Sequence, residues 1–455
     1  MELGGSPSLG LIIRGVPSPF SLTPILDAKM IILLFIMMFL LLAIGFEIWA
    51  AMGVSAAIYI FIRGDVPIDQ LAATMVSGID IYSLVAIPFF MLAGELMNSS
   101  GITLHLAKFA RFVVGQIRGG LAYVVVIVNV IMAGVSGSAV ADASAVCSVL
   151  LPAMDKEGYD RKFSAAINSA AATIGPIIPP SIPMVFMGVI TNLSVGKLFL
   201  GGVIPGLLMG LFLAASIFLM GKKKKLPVSL EPRDFKAFLS VLKEVFFALI
   251  APLIIILGVV FGIVTIVEVA ILAVFYVLFV ALFIYRSIKW TDVPRLFAKA
   301  GSFSATIMAI FAAVGIFSWL IANEQLGQKI GNLILTLQLG KVGFLFIVNI
   351  FFLFLGCIMD AIPAMLIFFP ILLPLGTQLG IDPTHFGVVV VLNLMIGLLT
   401  PPVGALLFLM SKIAEVSFDD LVKAVWPYII ALLTVLALIT YIPPLVTFIP
   451  NMIIK

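Results

Sequence analysis

The sequence predicts an all-α polytopic membrane protein built from two repeats, and three observations carry that expectation. Of 455 residues, 63% are apolar and only 11% charged, far from the roughly 25% charged that a water-soluble chain carries. Apolar runs recur from Met30 to the C-terminus, long enough for a hydrocarbon core of about 30 Å, which takes roughly 20 residues per helix. Glycines, prolines and aspartates also recur at one constant offset between the two halves.

Taken in order, residues 1–29 form a Gly/Ser/Pro-rich N-terminal extension. It lacks the compact basic start and apolar core of a cleavable signal peptide. The first membrane repeat is expected over 30–220, with apolar segments near 30–62 (two short spans), 79–98, 121–154, 164–190 and 196–219. A polar linker over 221–243 follows, carrying Lys222, Lys223, Lys224 and Lys225, then Pro227, Glu231, Pro232, Arg233 and Asp234. By the positive-inside rule it is cytoplasmic. The second repeat spans 244–450, with apolar segments near 244–285, 302–322, 342–379, 385–415 and 425–449, and 451–455 is a short tail. These runs allow about eleven or twelve crossings, some of them broken.

The repeat is read from residues that determine backbone shape. Positions 222 apart match: Gly134 with Gly356, Leu150-Leu151-Pro152 with Leu372-Leu373-Pro374, and Gly158 and Asp160 with Gly380 and Asp382. The same offset joins Ile174-Gly175 to Ile396-Gly397, Pro179-Pro180 to Pro401-Pro402, Phe186 to Phe408 and Pro205 to Pro427. Apolar coincidences are common in so apolar a chain; coincident Gly, Pro and Asp are not. If each half crosses the bilayer an odd number of times, the repeats are inverted and their broken helices meet near the midplane.

Four stretches look able to break. Gly134 to Asp142 places two glycines and the hydroxyls of Ser136 and Ser138 inside an apolar run. Thr173 to Ser181 carries three prolines within five residues, Pro176, Pro179 and Pro180. Their counterparts are Gly356 to Asp360 and Gly397 to Gly404, with Asp360 in the register of Ser138 and Thr400 in that of Ile178. Unwinding frees carbonyls that cost several kcal/mol each in hydrocarbon unless something satisfies them. A hard monovalent cation with several oxygen ligands does so. Taken singly, Gly, Ser and Thr serve close helix packing, and Asn168 and Asn192 read as helix-to-helix hydrogen bonders. Asp142 and Asp360, ionisable at membrane depth, read as functional. Glu47 and Glu268 fit span ends as well as re-entrant turns.

Several chemistries are disfavoured. A net charge of +4 with basic residues confined to loops gives nucleic-acid binding little support. Cys147 and Cys357 are far apart and form no CxxC, so they read as packing residues, not as a disulfide or zinc site. There is no P-loop motif, so any pumping draws on an ion gradient. His105 and His385 are the only histidines and offer no proton relay.

The stretches GVSGSAVADASAV, INSAAATIGPIIPPSIPMV and GLLTPPVGALLF resemble the large permease subunit of TRAP (tripartite ATP-independent periplasmic) transporters, the DctM-like family, and the likeness runs from Met30 to Pro450. The resemblance implies an elevator-type secondary transporter of the bacterial inner membrane, not an enzyme, with a scaffold, a mobile transport domain and two helical hairpins. Sodium is then the coupling ion, with no organic cofactor. The implied partners are a separate small four-helix membrane subunit, a periplasmic substrate-binding protein, membrane lipid and a carboxylate substrate such as a C4-dicarboxylate or sialic acid, with no nucleic acid. Carried over by motif, sodium site 1 falls on Ser136, Ser138, Gly175, Ile178 and Pro180, the middle-to-late members contributing mainly backbone carbonyls, and site 2 on Gly356, Asp360, Thr400 and Pro402. The substrate is expected near Asp142 and Ser181, where an aspartate serves orientation or sodium electrostatics, since it repels a carboxylate. A stand-alone sodium/dicarboxylate symporter or exchanger is the nearest alternative. An intramembrane aspartyl protease using Asp142 and Asp360 is a distant one, because neither sits in a G-x-G-D context.

Overall fold

A computed structural model describes residues 24–224, 226–228, 235–326, 328–331 and 340–454. Most of the N-terminal extension and much of the linker, including Glu231, Pro232, Arg233 and Asp234, lie outside the described residues, as do the side chains of Lys222, Lys223 and Lys224. The described chain is helical throughout.

The first half opens with the antiparallel pair α1 (Pro24–Ile44) and α2 (Ile48–Arg63), then α3 (Asp69–Ile79) and α4 (Ala86–Ser99), bent 62° at their junction. A short helix α5 (Ile102–Val114) leads to α6 (Gly120–Ser136), α7 (Ala139–Lys156), α8 (Arg161–Ala172), α9 (Ile182–Thr191) and the long α10 (Val195–Lys224). The second half repeats the plan. It runs α11 (Phe235–Val260), α12 (Ile266–Phe279) and a single α13 (Val293–Asn323), then α14 (Lys341–Ile358), α15 (Ala361–Gln378), α16 (Pro383–Gly397), α17 (Ala405–Ala414), α18 (Phe418–Tyr441) and α19 (Pro444–Ile453).

The 222-residue register holds in the backbone. α7 and α15 begin and end at equivalent positions, as do the starts of α8 and α16. Gly158 and Gly380 take the left-handed conformation in the turns between them, and the Pro179–Pro180 and Pro401–Pro402 bonds are both cis. The N-caps match as well: Asp160 Oδ1 accepts from Lys162 N at 3.1 Å and Asp382 Oδ1 from His385 N at 2.8 Å, each satisfying a backbone donor that the helix start leaves open.

Contacts at the helix ends fix the directions of the hairpins. Gly119 N donates to Pro227 O at 2.9 Å, so the turn before α6 shares an end of the bundle with the linker. Leu121 N donates to Tyr159 Oη at 3.3 Å, and Arg111 pairs with Glu157 at 2.5 Å. The turn after α7 has therefore returned to that same end, and α6–α7 is a hairpin that turns back at residues 137–138. Lys162 and Asp420, 3.0 Å apart, bring the start of α18 to this end too. α18 has 24 residues and, at 1.5 Å rise each, is about 36 Å long, which carries Ile439 to the far end. There its carbonyl sits 2.8 Å from His385 Nε2 at the start of α16. Lys341 Nζ donates to Gly380 O at 3.2 Å, so α14–α15 enters from that far end. The two hairpins thus point at each other from opposite ends, in agreement with inverted repeats.

Among the described residues, six helices are long and apolar enough to cross a membrane, or seven counting bent α3–α4 as one. The sequence suggested eleven or twelve crossings. The described residues hold a further eight apolar helices of 10–17 residues, several of which flank the hairpin turns and the mid-bundle breaks. Large apolar side chains such as Phe61, Ile263 and Phe275 remain exposed, as lipid-facing surfaces require. Asn168 behaves as expected: its amide donates to Ala143 O at 2.8 Å and accepts from Asn129 Nδ2 at 3.3 Å, tying α6, α7 and α8. Asn192 does not. It ends α9 with φ 56°, a left-handed position that Asn tolerates. Glu268 caps α12 together with Thr265, its oxygen 2.7 Å from Thr265 N, whereas Glu47 stands at the start of α2 without a side-chain cap bond and accepts from Trp49 Nε1.

Candidate functional site

At the tip of the first hairpin α6 ends with Ser136, Gly137 turns left-handed (φ 61°), and extended Ser138 caps α7, its Oγ accepting from Ala141 N at 3.4 Å. Glycine is required at 137 twice over: φ is positive, and a Cβ there would lie 2.4 Å from Pro180 O. The hairpin tip therefore rests directly on the backbone of the α8–α9 break. Ser138 N donates to Ser136 Oγ at 3.2 Å, and that hydroxyl donates to Asp142 Oδ1. Asp142 is 0% exposed, and its Oδ2 has no hydrogen-bond partner. Across the break Gly175 closes on it, since a Cβ at 175 would stand 2.3 Å from Asp142 Oδ2. Ser136, Ser138, Gly175 and Pro180 are thus brought together around one buried carboxylate. The side chain of Ile178 packs on Gly206 of α10, which leaves the carbonyl role expected of Ile178 to its backbone. Ser181, also 0% exposed, starts α9: its hydroxyl donates to Pro176 O and accepts from Met184 N at 3.2 Å.

The second tip is built alike with different chemistry. Asp360 occupies the register of Ser138 and likewise caps its helix, Oδ1 accepting from Ala361 N at 2.6 Å. α14 and α16 cross at Gly356 and Gly397, so closely that a Cβ on Gly397 would lie 2.6 Å from Gly356 Cα. Gly404 N donates to Cys357 O at 3.2 Å, joining the α16–α17 break to the end of α14. Thr400, half-buried, donates its hydroxyl to Ile396 O at 2.8 Å, and Pro402 is exposed. The structure therefore joins the segments that hold Gly356, Thr400 and Pro402, with Asp360 at the tip of the hairpin they brace.

Both tips open into one cavity of about 1,030 Å³. Ser136, Ser138 and Asp360 line it, together with the first turns of α7 and α15. Helix N-termini carry unpaired N–H groups and about half a positive charge. One of these two is capped by a hydroxyl and the other by a carboxylate, and the first also carries buried Asp142 in its first turn, so it favours an incoming anion only once a cation offsets that charge. Asp142 and Ser181, the expected substrate region, lie outside the lining, buried behind the first tip. Asp142 contacts Ser136, whereas Asp360 bonds its own helix start. Among the described residues, no three of His, Cys, Asp and Glu gather to hold a metal. The oxygen atoms on offer are carbonyls, hydroxyls and single carboxylates.

The wall facing the tips comes from α4 and α13, with Glu95, Asn98, Lys299, Ser302 and Thr306. Sequence reasoning passed over these residues. Glu95 alone carried a signal, as an acidic residue inside the apolar segment 79–98.

The profile of the family described as "Tripartite ATP-independent periplasmic transporter, DctM component" matches residues 35–445. The chain belongs to this DctM family. It is 35% identical to the sialic acid TRAP transporter large permease protein SiaM of Vibrio cholerae over 415 residues, 90% of this chain and 96% of that one. It is 38% identical to the C4-dicarboxylate TRAP transporter large permease protein DctM of Pseudomonas aeruginosa over 402 residues, 88% and 94% of the two chains. The DctM family is one of transporters, and it leaves the protease alternative without support. The fold is also similar to that of the Alcanivorax borkumensis YdaH transporter, with a TM-score of 0.62, 14% identity and coverage of 82% of this chain and 87% of that one.

Proposed function

We propose that this DctM-family permease takes up a small organic acid across the bacterial inner membrane, driven by sodium. The observation that carries the reading is the shared cavity: two opposed hairpin tips, one hydroxyl-capped and one carboxylate-capped, line the same space. The carboxylate of the substrate lies against the Ser138 end of α7, where sodium beside Asp142 offsets the one carboxylate of that first turn and leaves the helix start positive. Sodium binds on either side. One ion is held near Ser136, Gly175 and Pro180 with Asp142 as its counter-charge; the other is held by Asp360 with the segments of Gly356, Thr400 and Pro402.

Asp142 supports the first assignment. A fully buried carboxylate with an unpartnered oxygen costs several kcal/mol unless a cation or proton compensates it. Sodium filling both sites orders the breaks and readies the cavity for the anion, and alternating exposure follows as the hairpin-bearing helices move against α4 and α13, an elevator motion. Each sodium ion moved inward through 100 mV releases about 2.3 kcal/mol, so two ions moving with a monoanion leave a net of about 2.3 kcal/mol for accumulation, while two ions moving with a dianion draw on the sodium concentration gradient alone. A small membrane subunit and a periplasmic binding protein complete the system, the latter selecting the acid; the relatives named for sialic acid and C4-dicarboxylates bracket the candidates.

The test is uptake into vesicles reconstituted with the permease, its small subunit and the loaded binding protein. Sodium gradients should drive it, and uptake indifferent to sodium sinks the reading. Asp360→Ala should weaken the sodium response about ten- to a hundredfold, the factor for a charge-assisted contact of 1.5–3 kcal/mol. An unchanged sodium titration in that variant defeats the second site.

A further inference from the structure

Resting on the reading that this cavity receives a carboxylate, we infer that its α4–α13 wall holds a second anion site, centred on the Lys299 ammonium, with the Ser302 and Thr306 hydroxyls alongside.

Lys299, Ser302 and Thr306 stand at i, i+3 and i+7 of α13 and line the cavity together, the spacing that puts side chains on one helix face. They share the cavity lining with Ser138 and Asp360. Among the described lining residues Lys299 is the only basic one, against the two carboxylates of Glu95 and Asp360. An organic anion entering this space meets a net negative lining, and this ammonium is the protein charge able to receive it.

The ammonium is poised for exchange and is not locked in place. Its Nζ lies 2.5 Å from Glu95 Oε1 on α4, with the lysine side chain 68% exposed and the glutamate 22%. A pair this open contributes about 0–1 kcal/mol. A carboxylate from the substrate can therefore replace Glu95 at little cost, whereas a buried pair would resist replacement. The site belongs to α13, while Ser138 belongs to a hairpin, so the acid has a receiving group on each wall. In the transport cycle the α13 site takes the carboxylate as it leaves the hairpin, and Glu95 reclaims the lysine once the acid has gone.

The experiment uses the full chain with Cys147 and Cys357 replaced by alanine and the single reporter Ser302→Cys, with Thr306→Cys as a second reporter on the same face. The probes are N-acetylneuraminate and succinate, and the readout is the rate of modification by an anionic methanethiosulfonate in detergent. Either acid should slow modification severalfold and saturably, because a bound carboxylate beside Lys299 covers the reporter thiol. Lys299→Gln should abolish that protection, and Glu95→Gln should preserve or strengthen it, since it frees the ammonium. Protection by neither acid at either reporter overturns the site. So does equal loss in Lys299→Gln and Glu95→Gln, which identifies the pair as a structural strut. Protection together with sodium-independent uptake leaves this site standing and removes the proposed coupling; sodium-coupled uptake without protection does the reverse.

Discussion

Asp142→Asn should abolish sodium-driven uptake while leaving the permease folded. Asn has the shape of Asp, keeps an oxygen for the Ser136 hydroxyl, and places an amide where Oδ2 now sits without a partner against Gly175. What changes is the charge. Removing one partner of a buried ion pair costs about 3–5 kcal/mol, or roughly two to three orders of magnitude in cation affinity. Size-exclusion profile and thermal midpoint should match the parent, and the sodium concentration for half-maximal uptake should move out of reach. Uptake at the parental rate, with a parental sodium titration, sinks the role given to Asp142. Gly175→Ala should give a similar loss for a steric reason, because its methyl group would occupy the space against Oδ2.

Gly397→Ala is expected to damage the fold itself. Its Cβ would stand 2.6 Å from Gly356 Cα and 2.7 Å from Gly356 C, and in return a Cβ on Gly356 would stand 2.9 Å from Gly397 Cα and 3.0 Å from Leu394 O. These are backbone atoms, so no rotamer change relieves the clash; α14 and α16 must separate. Overpacking in a core costs about 1–3 kcal/mol even where side chains can yield, and here they cannot. The same crossing holds the end of α14, which leads into Asp360, against the α16–α17 break through Gly404 N and Cys357 O, so transport should fall along with stability. Gly53→Ala and Gly301→Ala are the controls: both positions are helical and nothing lies within 4 Å of the added carbon. Detergent-solubilised thermal midpoints should drop by many degrees for Gly397→Ala and stay level or rise for the controls. A comparable drop in all three refutes the crossing argument.

Much of the fold and part of the site were legible before any coordinates. Ser136, Ser138, Gly175 and Pro180 converge as their motifs suggested, and the matched caps Ser138 and Asp360 occupy equivalent helix starts. Unseen were Glu95, Asn98 and Lys299, which line the cavity and which no motif marked, and the burial of Asp142 and Ser181 behind the cavity lining.

The chain alone determined where helices must stop, because Gly, Pro and capping Asp or Ser act on their own backbone, and a stop of that kind repeats whenever the sequence repeats. It determined the solvent as well, since a composition with so few charges cannot be dissolved in water. Only tertiary packing decided whether an interrupted helix turns back, as α6–α7 does at Gly137, or carries on across a break, as α8–α9 does. Those outcomes depend on end contacts such as Leu121 with Tyr159 and Lys162 with Asp420. The far wall of the cavity has the same origin: Lys299 lies 204 positions from Glu95, and no local preference of either residue encodes their meeting.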